Sequence, residues 1–150
     1  MTDSAVAIAD TNALYRLFTP KDPGHSAHRA ALARTGHLVV SPMVLTELDY
    51  LLTSRIGSAA AMHALDFIAG QTEARRFGIP DTAPHLRTAM AVMRGYADAD
   101  RGAGVGLADA MNVALAAAFQ TADIFTADGH FRMMRPLTGQ PSFRLLPDDL

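Results

Sequence analysis

The stretch Ala5-Val6-Ala7-Ile8-Ala9-Asp10-Thr11-Asn12 joins a short apolar run directly to three polar residues. An uninterrupted apolar run of this length is typical of a strand buried on both faces, as in a parallel sheet covered by helices. Asp, Thr and Asn are all favoured residues at the start of a helix. The stretch therefore predicts a strand, a tight turn and a helix. Asp10 would lie at the carboxyl end of the strand, where ligands bind in open α/β sheets.

Strand-like and helical patterns alternate along the rest of the chain. Further strands are predicted at residues 37–41, 73–79, 122–126 and 142–146, and helices at 13–18, 23–34, 43–54, 59–69, 81–96 and 107–119. We expect Gly36 and Gly70 to end the second and fourth of these helices. This alternation is the signature of βα units with a mainly parallel sheet. The sequence predicts one domain over residues 1–150, with three α/β/α layers and a sheet of four or five strands.

Composition places the chain among ordinary globular proteins. A length of 150 residues with 49% hydrophobic and 19% charged residues suits one domain with a proper core and excludes disorder. The absence of cysteine excludes disulfides and thiolate metal sites. No apolar run is long enough to span a bilayer, and no signal peptide pattern opens the chain. We therefore expect a cytoplasmic protein.

The charge balance does not by itself indicate a nucleic-acid partner. The net charge is -2, and of the 13 cationic residues all but Lys21 are arginines. Arginine suits bidentate phosphate contact better than lysine does. Arginine in place of lysine is explained equally well by mutational bias in the source genome. The charge balance alone therefore leaves both explanations open.

Four acidic residues stand apart from the others, because each lies next to an apolar segment or at the end of a strand: Asp10, Glu47, Asp109 and Asp128. Taken singly, each has an ordinary structural role. Those roles are a helix cap for the first, a favourable charge near a helix N-terminus for the next two, and an Asp-Gly turn for the last. Together, however, the four would converge on one edge of the sheet.

Glu47 and Asp109 both border apolar helix faces. Leu51 and Leu52 follow Glu47 by four and five residues, so the glutamate borders the buried stripe, whereas Asp49 should face solvent. Asp109 opens the most apolar helix of the chain, and a buried carboxylate is costly unless it is paired, hydrogen-bonded or bound to a cation. Asn112, three residues further on, offers an additional oxygen on the same helix face.

Four carboxylates in one cleft would raise each other's pKa values, and a hard divalent cation with oxygen ligands resolves this repulsion. Mg²⁺ takes one or two carboxylates directly and keeps several waters, so the other acids would act through water or hold a second ion. Such a site can polarise a phosphodiester and activate a water for in-line attack. Zinc is disfavoured without cysteine. His25 and His28 have ligand spacing but no third partner, and we expect them to be surface histidines.

At this point the chain resembles the PIN-domain ribonucleases and, within that family, the VapC-type toxins of bacterial toxin–antitoxin pairs. Four motifs in order carry the resemblance: Asp10-Thr11-Asn12, Thr46-Glu47-Leu48, Leu107-Ala108-Asp109-Ala110 and Thr126-Ala127-Asp128-Gly129-His130-Phe131. Gly129-His130 stands where the family often has a second charged residue, which leaves the local RNA contacts open but not the metal site. Each motif alone is weak, and their order makes the resemblance specific.

The resemblance implies an endoribonuclease that depends on Mg²⁺ or Mn²⁺, a homodimer, and a cognate antitoxin that inserts a segment into the active-site groove. It implies that Asp10, Glu47, Asp109 and Asp128 form the catalytic and metal-binding set. We further expect supporting polar roles for Thr11, Asn12, Asn112 and Thr126. Candidate contacts to RNA phosphates are Arg132, Arg135 and His130.

The leading interpretation is therefore a metal-dependent endoribonuclease that acts as the toxin of a toxin–antitoxin system and hydrolyses RNA phosphodiester bonds by metal-activated water. The alternative is a catalytically inactive PIN-like module that binds RNA or protein. A third interpretation is a phosphatase of another α/β fold, but that class usually has a second Asp two residues after the first, and here Asn12 occupies that position.

Overall fold

The computed structural model of the chain describes residues 3–150, so two residues of the predicted domain lie outside the described part. Five parallel strands form one sheet in the order β3-β2-β1-β4-β5. The strands are β1 (Ser4–Ala9), β2 (Thr35–Val39), β3 (Phe77–Gly78), β4 (Asp123–Phe125) and β5 (Arg144–Leu146). The predicted parallel α/β sheet is thus confirmed.

Within residues 3–150, six α-helices lie between or beside these strands. They are α1 (Thr11–Leu17), α2 (His25–Ala33), α3 (Pro42–Arg55), α4 (Ser58–Glu73), α5 (Leu86–Gly95) and α6 (Leu107–Ala118). Short 3-10 turns at Ala83–His85, Asp100–Gly102 and Gly129–Met133 complete the connections. In residues 3–150 no helix is both long enough and apolar enough to cross a bilayer.

Two apolar cores cover the two faces of the sheet, because successive residues of a strand point to opposite faces. Ala7 and Ala9 of β1 pack in the core that includes buried residues of α1 to α4, whereas Ile8 packs in the core that includes α5 and α6. Phe125 and Ile124 of β4 divide between the two cores in the same way. The chain therefore has the three α/β/α layers that the sequence predicts.

The strand order places a switch point between β1 and β4. From β1 the chain proceeds to β2 and β3 on one side, and then returns to β4 and β5 on the other side. In open α/β sheets the crevice at the carboxyl ends of the strands beside such a switch point is where ligands bind. The residues that follow β1 and β4 thus occupy the crevice that this topology creates.

Two glycines predicted to end helices do not do so. Helix α2 ends at Ala33, and Gly36 lies inside β2, where a side chain would come within 2.9 Å of the Ala5 carbonyl oxygen of β1. Gly70 lies inside α4, which continues to Glu73. The close approach of β1 explains Gly36, whereas tertiary packing carries α4 through Gly70 despite its low helix propensity.

Other predicted boundaries also shift. The third strand is only Phe77–Gly78 rather than residues 73–79, and the helix predicted at 81–96 divides into a 3-10 turn followed by α5. Strand β2 begins two residues earlier than predicted and ends at Val39, because Ser41 instead caps α3: its side chain accepts a hydrogen bond from the Met43 amide at 3.2 Å.

The expectation that His28 is a surface histidine is wrong, because this residue is buried. Only 3% of it is exposed, its Nδ1 lies 2.7 Å from the Gly24 carbonyl oxygen, and its ring packs edge-on against Phe125 with centroids 5.4 Å apart. Its Nε2 has no hydrogen-bond partner within the described part of the chain. Burial lowers the pKa of this imidazole. His28 is therefore a neutral core residue.

Candidate active site

Asp10 follows the central strand and caps the helix after it. Its amide donates to the Phe125 carbonyl at 2.9 Å, which extends the pairing of β1 with β4, and its Oδ1 accepts from the Thr11 amide at 2.8 Å. The residue is only 6% exposed. The helix-cap interpretation of Asp10 is therefore correct, but it uses Oδ1 and leaves Oδ2 directed to other groups.

Thr126 connects Asp10 to the loop that carries Asp128. Ala9 pairs with Phe125 in the sheet register, so the next residues of the two strands, Asp10 and Thr126, lie side by side. The buried Thr126 hydroxyl donates to Asp10 Oδ2 at 2.9 Å and accepts from the Asp128 amide at 2.9 Å. One hydroxyl thus holds the carboxylate of one loop and the backbone of the other.

Asn12 forms a second link between the same two loops. Its Nδ2 donates to Asp10 Oδ2 at 3.1 Å, and its Oδ1 accepts from the Ala127 amide at 2.8 Å. An amide suits this place because it donates to a carboxylate and accepts from a backbone N–H at the same time. A carboxylate at this position would lack the donor, which explains the Asn.

Glu47 joins the site from α3 through Thr11. Glu47 is exposed, and the hydroxyl of the buried Thr11 donates to its Oε1 at 2.8 Å. Because Thr11 is the residue after Asp10, this bond fixes Glu47 close to the end of β1. Asp49, two residues on, is exposed and faces away as the helical periodicity predicts.

Asp109 and Asn112 lie one turn apart on α6. Asp109 is half-buried in the first turn, and Asn112 is fully buried, with its Nδ2 donating to the Ala9 carbonyl at 3.2 Å. Asn112 Oδ1 has no hydrogen-bond partner among residues 3–150. The bond to Ala9 attaches α6 to the residue that precedes Asp10, so it sets how the first turn of α6 meets the end of β1.

The four acidic residues interact electrostatically across these elements. Burial, and then the charge of Asp109, raise the pKa of Asp10 to about 7. Burial also raises the pKa of Asp109, and the charges of Asp128 and Glu47 raise it further, while His130 acts in the opposite direction. The structure therefore brings the predicted acids into one electrostatic cluster that a cation would relieve.

The residues fit a hard divalent cation through the chemistry of their donors. Carboxylate, hydroxyl and amide oxygens are the ligands that Mg²⁺ and Mn²⁺ accept, and the cluster contains no sulfur donor. Among residues 3–150, no group of three or more His, Asp or Glu side chains is arranged to hold a metal ion directly. Mg²⁺ itself takes only one or two carboxylates directly and keeps several waters.

The three candidate phosphate contacts have different surroundings. Arg132 is engaged by Asp149 in a double hydrogen bond, with Nη2–Oδ1 at 2.9 Å and Nη1–Oδ2 at 3.1 Å. Arg135 is exposed, and its backbone amide donates to the Tyr96 hydroxyl at 2.9 Å. The backbone amide of His130 donates to Asp128 Oδ1 at 2.9 Å, which closes the turn after that acid.

An apolar cavity of about 730 Å³ lies at the opposite edge of the sheet. It is lined by Phe18, Phe67, Phe77 and neighbouring apolar residues, with Arg29 and Arg76 among its polar residues and no carboxylate. None of the four acidic residues lines this cavity, so it is separate from the carboxylate cluster.

Three contacts near the acidic cluster could not be predicted from the sequence. It placed Thr11 in a general supporting role, whereas the structure assigns it to Glu47. It did not single out Asp149, which holds Arg132, or Tyr96, which holds the backbone of Arg135. These partners lie 17 to 39 residues apart in sequence, and no local pattern signals them.

The four acidic residues lie within a region that known proteins share. The family model of the PIN domain matches residues 7–135, a range that includes all four acidic residues. Ribonuclease VapC26 of Mycobacterium tuberculosis is 36% identical over 135 residues, which cover 88% of this chain and 94% of that protein. Both matches extend over most of the chain and therefore establish the family.

Solved structures with low sequence identity share the fold. The VapC20 toxin of Mycobacterium tuberculosis, which cleaves the sarcin–ricin loop, superposes with a TM-score of 0.71 at 18% identity, covering 91% of this chain and all of that one. VapBC2 of Rickettsia felis, bound to a promoter DNA fragment, gives 0.61 at 16% identity, covering 88% and 95%. A toxin–antitoxin complex of Klebsiella pneumoniae gives 0.58 at 18% identity, covering 90% and 92%. With its strand order, acidic cluster and motif order, the chain belongs to the PIN-domain family and, within it, to the VapC-type ribonucleases.

Proposed function

We propose that the chain is an endoribonuclease that depends on Mg²⁺ or Mn²⁺ and acts as the toxin of a toxin–antitoxin pair. The observation that carries this proposal is the carboxylate of Asp10, which is only 6% exposed and lies among the charges of Asp109 and Asp128. The anionic form of such a group is costly without a cation. The relatedness to Ribonuclease VapC26 supports RNA as the substrate.

We assign the metal-binding role to the four acids of the cluster. Asp10 and Asp109 are the more buried pair and would bind an ion directly, while the exposed Glu47 and Asp128 would act through water or hold a second ion. A divalent cation, when bound, would polarise the scissile phosphate and lower the pKa of an attacking water. These assignments name Asp10, Glu47, Asp109 and Asp128 as the catalytic set.

The polar residues around the acids would orient them. Thr126 and Asn12 both donate to Asp10 Oδ2, which keeps that oxygen turned towards the loop of Asp128. Thr11 positions Glu47. Asn112 anchors α6 to β1 and so positions Asp109. None of these four groups needs to change protonation state during the reaction.

We further propose a cognate antitoxin protein as partner, a homodimeric assembly, and action in the cytoplasm, where RNA substrates are found. The solved relatives from Rickettsia felis and Klebsiella pneumoniae, which are toxin–antitoxin assemblies, support the first of these. Light scattering coupled to gel filtration tests the second: a monomer mass for the purified chain would overturn it.

The decisive experiment is RNA cleavage by the purified chain with Mg²⁺ or Mn²⁺ and with EDTA. We expect cleavage of RNA that requires the metal and is lost in Asp10→Asn and Asp109→Asn, because each substitution removes an anionic ligand while keeping the side-chain size. Asp49→Asn is the matched control, since it removes an exposed carboxylate from α3 on the face away from the site.

Either of two results would contradict the proposal. Cleavage by the Asn variants equal to that of the parent would overturn the site assignment. Absence of divalent-ion binding by the folded parent chain, measured by isothermal titration, would overturn the enzyme and favour a PIN-like module that binds RNA or protein without turnover.

A further inference from the structure

Arg132 lies at the same edge of the sheet as the acidic cluster. It belongs to the 3-10 turn Gly129–Met133, which begins directly after Asp128. Strand β5 runs parallel to β4, so the segment that follows β5 reaches this edge as well. The Arg132 side chain is 51% exposed. It is therefore placed to meet an RNA strand that approaches Asp128.

Asp149, in the segment after β5, already occupies the Arg132 guanidinium. The two hydrogen bonds, at 2.9 and 3.1 Å, form the fork geometry that arginine also makes with two phosphate oxygens. Asp149 is itself held in place: its Oδ2 accepts from the Leu145 amide at 2.8 Å, and its own amide donates to the Leu145 carbonyl at 2.7 Å. The carboxylate is thus a fixed acceptor.

We propose that Asp149 is an intramolecular stand-in for an RNA phosphate, which occupies Arg132 until a backbone phosphate of the substrate displaces it. The proposal rests on the endoribonuclease function proposed above and adds a regulation of RNA affinity at that site. Exposed ion pairs contribute little stability, so displacement by phosphate costs little. The pair therefore lowers RNA affinity without blocking the site.

A double-mutant cycle tests this device. Binding of a fluorescein-labelled single-stranded RNA is measured by fluorescence anisotropy in EDTA for the parent, Asp149→Asn, Arg132→Gln and the double variant. The Asn side chain keeps an oxygen that can accept from the Leu145 amide, so the hydrogen bond between residue 149 and β5 is retained. Asp148→Asn is the matched control, because it makes the same change of charge at the adjacent exposed residue.

We expect Asp149→Asn to bind this RNA about two- to fivefold more tightly, the range that corresponds to an exposed ion pair. Arg132→Gln removes the phosphate contact and should make the dependence of log affinity on log salt shallower by about 0.7. Asp149→Asn should leave this dependence unchanged, because the same phosphate contact forms in the parent. In the Arg132→Gln background the gain should vanish. A gain no larger than that of Asp148→Asn, or a gain that survives without Arg132, would overturn the proposal.

Two further measurements keep the result interpretable. Thermal unfolding of each variant shows whether the fold is retained, and Asp149→Ser, which cannot bridge both guanidinium nitrogens, replaces the Asn variant if that protein unfolds. Metal-dependent RNA cleavage is followed in parallel. A parent chain that neither binds nor cleaves RNA overturns both proposals, whereas a parent that cleaves RNA, with no difference between the Asp149 and Asp148 variants, overturns only this one.

Discussion

The Asp10 side chain divides its two oxygens between structure and chemistry. Oδ1 caps α1 through the Thr11 amide, and Oδ2 accepts from Asn12 and Thr126 at the end of β4. Hydrogen bonds to the anion lower the pKa, yet burial and neighbouring acids raise it to about 7. The hydrogen bonds therefore hold the carboxylate in a fixed orientation. Its ionisation in this buried place has a free-energy cost, which a bound cation would offset.

The pH dependence of stability follows from this shift. The pKa of Asp10 rises from 3.8 in the unfolded chain to about 7 in the folded chain, so the folded protein binds this proton more tightly. Its contribution to stability is fully present below about pH 4 and is lost as the pH rises through about 7. Asp10→Asn removes this loss. We therefore compare the free energy of unfolding of the variant with that of the parent. The difference should favour the variant by about 2–3 kcal/mol more at pH 8 than at pH 5.

Urea unfolding of both proteins in EDTA at the two pH values measures this difference. The lowered pKa of His28 makes stability rise with pH, the opposite sign, but His28 is present in both proteins and its contribution cancels. Asp49→Asn, with the same charge change at an exposed position, is the matched control. Parallel pH profiles for Asp10→Asn and the parent would contradict the assigned pKa shift.

Among the secondary-structure elements, β2 and α4 each contain a glycine, and the two glycines have different structural reasons. Strand β2 contains Gly36, opposite Ala5 in the register that pairs Ser4 with Thr35 and Val6 with His37. Helix α4 contains Gly70, which has open space around it. The first glycine is required by a neighbour, and the second is tolerated despite its cost to the helix.

Alanine substitution at these two glycines should therefore have opposite effects. Gly36→Ala places a Cβ 2.9 Å from the Ala5 carbonyl oxygen, and we expect a loss of about 1–3 kcal/mol because the strands must shift apart. Gly70→Ala meets no atom within 4 Å, and we expect a gain of about 0.5–1 kcal/mol from helix propensity. Urea unfolding at one pH measures both, and effects of equal sign would contradict the packing described for them.

At the scale of the whole molecule, the acidic cluster links three parts of the fold. Asp10 and Asp128 follow neighbouring strands, Asp109 opens α6 on one face of the sheet, and Glu47 lies on α3 on the other. A cation bound among them would stabilise the folded state over the unfolded chain, in which these residues are far apart. Metal binding should therefore appear as a change in global stability.

Thermal unfolding at pH 8 tests this linkage. For a dissociation constant of about 1 mM, 10 mM Mg²⁺ should add roughly 1.4 kcal/mol and raise Tm by about 3–6 °C. The increase should be lost in Asp10→Asn and retained in Asp49→Asn. NaCl of equal ionic strength is the control, and an increase of the same size with NaCl would show that screening, rather than a bound cation, stabilises the protein.

The class of fold and the four candidate acids could be predicted from the sequence alone. Three features of the sequence carry these predictions: the apolar run before Asp10, the alternation of strand and helix patterns, and the order of four short motifs. Each can be recognised without knowledge of contacts between distant residues. They led to the parallel sheet and the family, both confirmed. The assignment of Asp10, Glu47, Asp109 and Asp128 to catalysis stays a prediction.

Which side chains contact each other could not be predicted from the sequence and depends on the folded structure. The bond from Thr126 to Asp10 spans 116 residues, and that from Thr11 to Glu47 spans 36, so neither leaves a periodic signal in the chain. The same holds for Gly36, whose role depends on the carbonyl of Ala5 in another strand, and for His28, which Phe125 helps to bury. Local patterns specify elements, whereas contacts between elements depend on the register and packing that the complete sheet imposes.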